Sequence, residues 1–533
     1  MTTTAELLRE GRREEIWQKY CGFVDLEPNE FMAIQKRLLM EQVTLLGGCE
    51  LGRKMLHNDI PSTVEEFRER VPLTTYQDYT PYLLDKREDV LPAKPHWWLR
   101  TSGRSGEYPY KWVPYSERMV HKLGECILAA LVFASGGRGQ FVFEEGDTML
   151  FALAPFPYLS GAAVMALCRE LEFTFVPPMR QAVNMEFQQR IQEGFRLALK
   201  TGIDAFNGIA SVLARIGDQF VEGGGSMHPS LYMLHPKVVI RLLRGLIRAR
   251  LAGRRHLLPK DLWDVKCIGA GGTDTALFRD RITEYWGRRP GESYGCTEGG
   301  VFASQLWNGK GLTFYPDVNF LEFLPHDEGA ANSEGEKRRP KTVLLDQVEC
   351  GKRYEVVITN LLGGVMVRYR VGDIIEFTAL SDDELGVRLP QMRFYSRADG
   401  LIDIAGIARL TERTLWQAIV EASFPYTDWV ATKEYEGGRV LLHVYIEPKG
   451  QLELISIRDR IQHNLQRLDA DYADLERLWS MDPLRVSLLP VGSFQAFYRK
   501  RQSEGADPAQ LKPPHMNPPA IALELLLTSG SVP

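Results

Sequence analysis

The sequence predicts an α/β protein: a large N-terminal domain of helices around parallel sheets with a β-rich portion, followed by a smaller α+β C-terminal domain. Three observations carry this. Between residues 148 and 201, MLFALAP, GAAVMALCREL, FTFVPP and MEFQQRIQEGFRLALKTG alternate strand-like and helix-like patterns, as parallel strands with helices on their faces do. From Thr313 to Tyr395 the pattern turns to β-type alternation in FYPDVNFLEFLP, KTVLLDQV, RYEVVITN, VMVRYRVGDIIEF and VRLPQMRFYSRA. Past Asp399 a helix, a hairpin turning at Gly437-Gly438, two more helices and a strand make a unit of domain size. The expected domains are residues 1–398 and 399–533, in keeping with 533 residues and cores that stop growing at about 250–300.

Residues 5 to 90 carry apolar residues at helical spacing, as in FMAIQKRLLMEQVTLL. A capping box in STVEEF pairs Ser62 with Glu65. Next comes WLRTSGRSGEYPYKWVP, where glycines and small hydroxyls lie between apolar runs. Gly103 and Gly106 permit close backbone approach, and Thr101, Ser102 and Ser105 add donors, a combination suited to an anion or to a plain turn. Lys111 comes five residues after Gly106, so this is no Walker loop. The uncharged run TMLFALAPFPYLSGAAVMALC is broken by Pro155, Pro157 and Gly161 and reads as strand, loop and helix rather than a membrane span. Arginines follow a helical pattern in KVVIRLLRGLIRARLAGRRHLLPKDLW, expected to be a solvated helix face.

A net charge of −5, with 44% hydrophobic and 25% charged residues, excludes a general nucleic-acid binder, whose affinity comes from excess Lys and Arg. Seven scattered cysteines without a C-x-x-C pair suggest neither a disulfide framework nor a zinc site, and a cytoplasmic setting is expected.

Four later stretches add chemistry to the loop at residue 101. CIGAGGTD runs from an apolar entry into Gly269, Gly271 and Gly272. In YGCTEGG, Tyr294 can stack on a flat ring, Thr297 can donate to a phosphate, and Glu298 can hold a divalent cation through hard oxygens. VRYRVGD places Asp373 at a strand end, where a carboxylate can accept both ribose hydroxyls. YSRADGLIDIAG sets Arg397 and Asp399 between the two domain textures. Cys296 reads as a small buried filler rather than a nucleophile, with no histidine close by in sequence to lower its pKa.

The order TSGRSG, GAGGT, YGCTE, RYRVGD, SRADG resembles the adenylate-forming superfamily of acyl-CoA synthetases and luciferases. VPLTTYQDYTPYL, FYPDVNFLEFLP, YEVVITNLLGGVMVRYRVGD and VGSFQAFYRKRQSEGADPAQLKPP resemble, within it, the Gretchen Hagen-type acyl-acid amido synthetases, in a bacterial-type member. The resemblance implies an ATP- and magnesium-dependent ligase. Such an enzyme makes an acyl-adenylate and pyrophosphate, then passes the acyl group to an amine, usually an amino acid; an acid–CoA ligase or a non-catalytic nucleotide-binding homologue are the alternatives. It implies small-molecule partners only, no nucleic acid or membrane, and a monomer or weak dimer. Carried over by position, Thr101, Ser102, Gly103, Arg104, Ser105, Gly106 and Lys111 match the phosphate loop. Gly271, Gly272 and Thr273 flank adenine, Tyr294 and Gly295 hold it, Thr297 meets the α-phosphate, and Glu298 is the metal carboxylate. Asp373 and Arg397 match ribose contacts, Asp399 the hinge of the small domain, and Lys512 a late catalytic lysine. FNGIASVLARIGDQF resembles the family's helix beside the acyl pocket, which makes Phe206 and Ser211 substrate candidates. Arg104 stands where relatives carry threonine, as a phosphate clamp or a solvated substitution, and the spacing to Lys111 is about one residue longer.

Overall fold

The N-terminal helices form where the apolar spacing predicts them, at Arg13–Cys21, Pro28–Gly47, Glu50–Met55 and Val64–Arg70 among others. The computed structural model describes residues 3–101, 111–185, 187–221, 234–271, 275–326, 341–397, 401–436, 439–450, 453–479, 481–503 and 515–528. The Pro28–Gly47 helix buries Phe31, Met32, Leu38, Leu39, Val43 and Leu46 on one stripe. Gln35 and Gln42 lie on the same stripe and are satisfied by distant backbone. Gln35 donates to Asn319 O and accepts from Leu321 N–H; Gln42 donates to Gly364 O and accepts from Gly363 N–H. These bonds fix the helix to the segments that build the site below. The cap of the Val64–Arg70 helix lies one residue later than expected: Thr63 accepts from Glu66 N–H, and the Glu66 carboxylate accepts from the backbone and hydroxyl of Ser62.

The chain divides into two units, one reaching Ser396 and the other beginning at Arg397. In the first, β1 (Pro95–Arg100) and β2 (Trp112–Ser116) form an antiparallel pair. The remaining strands of this unit are β3 (Thr148–Phe151), β4 (Thr174–Val176), β5 (Ala205–Ile209), β6 (Cys267–Gly271), β7 (Gly291–Cys296), β8 (Gly300–Gln305), β9 (Leu312–Phe314), β10 (Asn319–Pro325), β11 (Arg353–Asn360), β12 (Tyr369–Ala379) and β13 (Gln391–Arg397). They join in one sheet of order β10-β11-β12-β13-β9-β8-β7-β6-β5-β3-β4. From β4 to β7 the pairing is parallel, and from β7 onward the described ladders are antiparallel. The strand β7 joins the two halves. The uncharged run resolves into β3, a loop, and the Leu159–Glu170 helix, as expected. Its Gly161 is required by close approach, since a Cβ there would lie 2.2 Å from Phe156 N.

Two segments depart from expectation. KTVLLDQV is not a strand: Val343 makes a single bridge to Phe323, and a 3₁₀ turn follows at Leu345–Gln347. Residues 205–209 are β5 rather than the start of a helix, which begins at Ala210. A five-residue strand that runs directly into a helix is too short to be split from it by periodicity alone.

The second unit contains the hairpin β14 (Ile402–Ile404) and β15 (Ala408–Leu410), and a sheet of β16 (Tyr426–Glu436), β17 (Arg439–Pro448) and β18 (Leu484–Leu488). There β16 runs antiparallel to β17, and β18 parallel to it. The Phe494 and Phe497 rings of the Ser493–Ser503 helix pack with Val430, Tyr445 and Leu489 in its core.

Candidate active site

The arms of the glycine-rich loop are β1 and β2, whose register pairs Arg100 with Trp112. Beyond that rung Thr101 and Lys111 close on each other: Thr101 N–H donates to Lys111 O at 2.9 Å, and Lys111 N–H to the Thr101 hydroxyl at 3.0 Å. Thr101 therefore closes the loop's base with its hydroxyl. Ser102, Gly103, Arg104, Ser105 and Gly106 lie outside the described residues, as do Gly272, Thr273, Asp399 and Lys512.

Thr297 and Glu298 sit in the turn between β7 and β8, and three side chains from distant segments hold its successive carbonyl groups. The Tyr115 hydroxyl donates to Thr297 O at 2.8 Å, Asn360 Nδ2 to Glu298 O at 2.9 Å, and Asn319 Nδ2 to Gly299 O at 2.8 Å. Asn360 also donates to Asn319 Oδ1, so the two amides act as one brace. Gly295 and Gly300 make the turn sterically possible: a Cβ on Gly295 would lie 2.3 Å from Gly300 O, and Gly300 has φ +75. With its backbone tied, the buried turn presents Glu298 in one orientation.

The Glu298 carboxylate accepts from the Tyr369 hydroxyl at 3.0 Å and lies 3.6 Å from Lys111 Nζ. Lys111 Nζ also donates to the Tyr369 oxygen at 3.3 Å and sits 5.3 Å from the Tyr76 ring centre. Burial, and then the Glu298 charge, push the Tyr369 phenol far above its usual pKa, so it remains a donor. Four residues along the same strand, the buried Asp373 accepts from the Tyr294 hydroxyl at 3.0 Å. Two rungs thus link β12 to β7 and the turn after it, although three strands separate them in the sheet. Flat, that distance would be about 19 Å, so the sheet must curl to bring the rungs together. Asp373 lies inside β12 and not at its end, because the strand continues to Ala379.

Tyr369 is oriented by its neighbour. Arg368 is buried with φ +44, and its guanidinium donates to both oxygens of Glu322, to Arg68 O and to Val71 O. A non-glycine residue in this conformation is strained and persists only where surroundings over-determine it, as these bonds do.

Gly271 ends β6, and Gly295 is exposed on β7. Arg397 ends β13, half-buried. Phe206 is fully buried in β5, 6.2 Å from the Trp286 ring, and Ser211 lies in the first turn of the Ala210–Val221 helix. Cys296 is half-buried rather than a core filler. Sequence reasoning missed Tyr369, Tyr115, Asn319, Asn360 and Arg368. Each lies in or beside a quoted motif, yet its role depends on a partner far along the chain.

Among the described residues no three His, Cys, Asp or Glu side chains group to hold a metal ion. Magnesium does not need such a cage, since it binds through one or two carboxylates together with phosphates and water, and Glu298 fits that donor set.

The GH3 family N-terminal domain is matched over residues 24–156, and the GH3 family central domain over residues 312–397. The first span contains the β1–β2 arms; the second contains Asn319, Asn360, Tyr369 and Asp373. The chain thus matches two domains of the GH3 family, over parts of its length. The GH3 domain-containing protein of Mus musculus is 26% identical over 279 residues, 49% of either chain, so that alignment spans about half of this relative. The jasmonoyl–L-amino acid synthetase JAR4 of Nicotiana attenuata is 20% identical over 94% of this chain and 93% of its own. The fold of the AtGH3.15 acyl acid amido synthetase in complex with 2,4-DB is shared, with a TM-score of 0.51, 18% identity and 93% of each chain covered. The chain therefore has the mixed α/β fold of that synthetase.

Proposed function

We propose that the chain is an ATP-dependent acyl-acid amido synthetase that activates a small carboxylic acid as its acyl-adenylate and passes the acyl group to an amine, an amino acid. The observation that supports this best is the buried Lys111–Tyr369–Glu298 cluster, which places a cation, a phenol and a carboxylate beside the base of the glycine-rich loop.

Activation joins two anions, since a carboxylate oxygen must attack the α-phosphorus while the bond to pyrophosphate breaks. Positive charge and fixed donors lower that barrier. Lys111 supplies a charge for the outer phosphates, the Thr297 hydroxyl a donor for the α-phosphate, and the backbone N–H groups of residues 102–106 further donors. Magnesium, held through Glu298 with phosphate and water oxygens, would supply Lewis-acid charge. Asp373 accepts from ribose hydroxyls, and the Tyr294 ring, Gly271, Gly272 and Thr273 border adenine. In the second step the amine nitrogen attacks the acyl carbon, the bond to AMP breaks, and the amine proton leaves to solvent.

An acid-by-amine screen tests this, reading AMP release and product mass with amino acids and with CoA as acceptors. The expected result is AMP formation with an amide product. A thioester formed only with CoA, or no pyrophosphate exchange with any acid, would overturn it.

A further inference from the structure

The arginine-rich segment forms the Pro236–Leu251 helix. The helix is anchored to its neighbours: Arg241 donates to Ala198 O and Leu199 O, Gly245 lets Leu262 approach closely, and at the surface Arg248 pairs with Asp264. The outer side is solvated, as the sequence suggests, but it carries large aliphatic side chains among its cations. Ile240, Leu243, Ile247 and Leu251 are 56, 54, 58 and 84% exposed, and Val239 and Leu246 are exposed with them. These aliphatic side chains form a ridge about 18 Å long. Lys237, Arg244 and Arg250 are exposed along it, Arg255 is exposed just beyond, and the helix has no acidic residue. A contiguous apolar surface of this kind marks an interaction site.

We propose that this helix docks in the plane of an anionic lipid surface. Charge selects the occupant. A second copy placed ridge to ridge would bring arginines against arginines with no carboxylate on either helix, whereas anionic headgroups neutralise them. Shape agrees: side chains exposed by half or more make a convex ridge that enters a planar acyl boundary, while a helical peptide partner needs a groove. The helix lies on the surface rather than crossing it, and no helix among the described residues is long and apolar enough to span a membrane.

Vesicle flotation of the full chain tests the proposal, using equal parts phosphatidylcholine and phosphatidylglycerol against phosphatidylcholine alone. The wild type floats with the anionic vesicles only, and less so at high salt. The pairs Leu243→Ser with Ile247→Ser, and Arg244→Glu with Arg250→Glu, each lower the bound fraction by about tenfold while leaving the melting temperature unchanged. Failure of the wild type to float, or variants that float as it does, would overturn the proposal. So would light scattering that shows a dimer which the Leu243 and Ile247 pair dissociates, or binding of a poly-glutamate peptide without flotation.

Discussion

At the residue scale the site depends on which groups carry charge and which hold them in place. Glu298→Gln removes the carboxylate charge but keeps its shape, so pyrophosphate exchange should fall by on the order of a hundredfold with the fold retained. Tyr369→Phe removes the hydroxyl between Lys111 and Glu298 and leaves the charge; a buried acceptor that loses one donor costs about 1–3 kcal/mol. Its rate should fall about tenfold, and the magnesium concentration for half-maximal rate should rise. Equal losses in the two variants, with no change in magnesium dependence, would contradict Tyr369 as a positioning residue. Glu298 and Lys111 stood out as candidates in the sequence because a carboxylate or a lysine states its chemistry alone. Tyr369 was not, because a tyrosine in a β-rich motif reads equally as core.

At the scale of elements, contact depends on backbone approach. The Glu117–Ser135 helix meets the Leu159–Glu170 helix at Gly124, where a Cβ would lie 2.4 Å from Ala166 O. Gly124→Val should therefore destabilise the first unit by about 1–3 kcal/mol or more, measured as a shift in urea midpoint at unchanged slope; an unchanged midpoint would show that the helices can part freely. The β14–β15 hairpin shows what local sequence could and could not signal. Ala405 and Gly406 both have positive φ, and Ile407 N–H bonds to Ile404 O, as in a primed hairpin turn. Gly406 favours that turn. Ala405 does not, so the pairing on either side must hold it. The same limit explains KTVLLDQV, whose composition suits a strand but which, among the described residues, makes one bridge.

At the scale of the whole molecule, acid should act on a buried carboxylate of the second unit. In the second unit Asp403 is buried, which works to raise its pKa. The charges of Arg409 and Lys433, the Arg409 Nε–H bond and the Gly406 N–H bond outweigh burial and hold the pKa below the ordinary 3.8. A depressed carboxylate contributes stability that is present above 3.8 and lost as pH falls through its native value. Hydrogen exchange in residues 402–410 should accelerate as pH drops below 3.8, beyond the intrinsic pH effect, and Asp403→Asn should remove that dependence. The same acceleration in Asp403→Asn would rule it out. The sequence by itself determined the α/β class, the alternation of strands and helices, the loop, and the residue types fit for nucleotide chemistry, because periodicity and motif order are local properties. Tertiary structure alone decided the rest. It joined Tyr294 to Asp373 and Glu298 to Tyr369 and Lys111, and it turned an aliphatic ridge of the arginine-rich helix outward. A curled sheet brings together strands that are far apart in order, and packing chooses which helix face is buried; neither is written in any one stretch of chain.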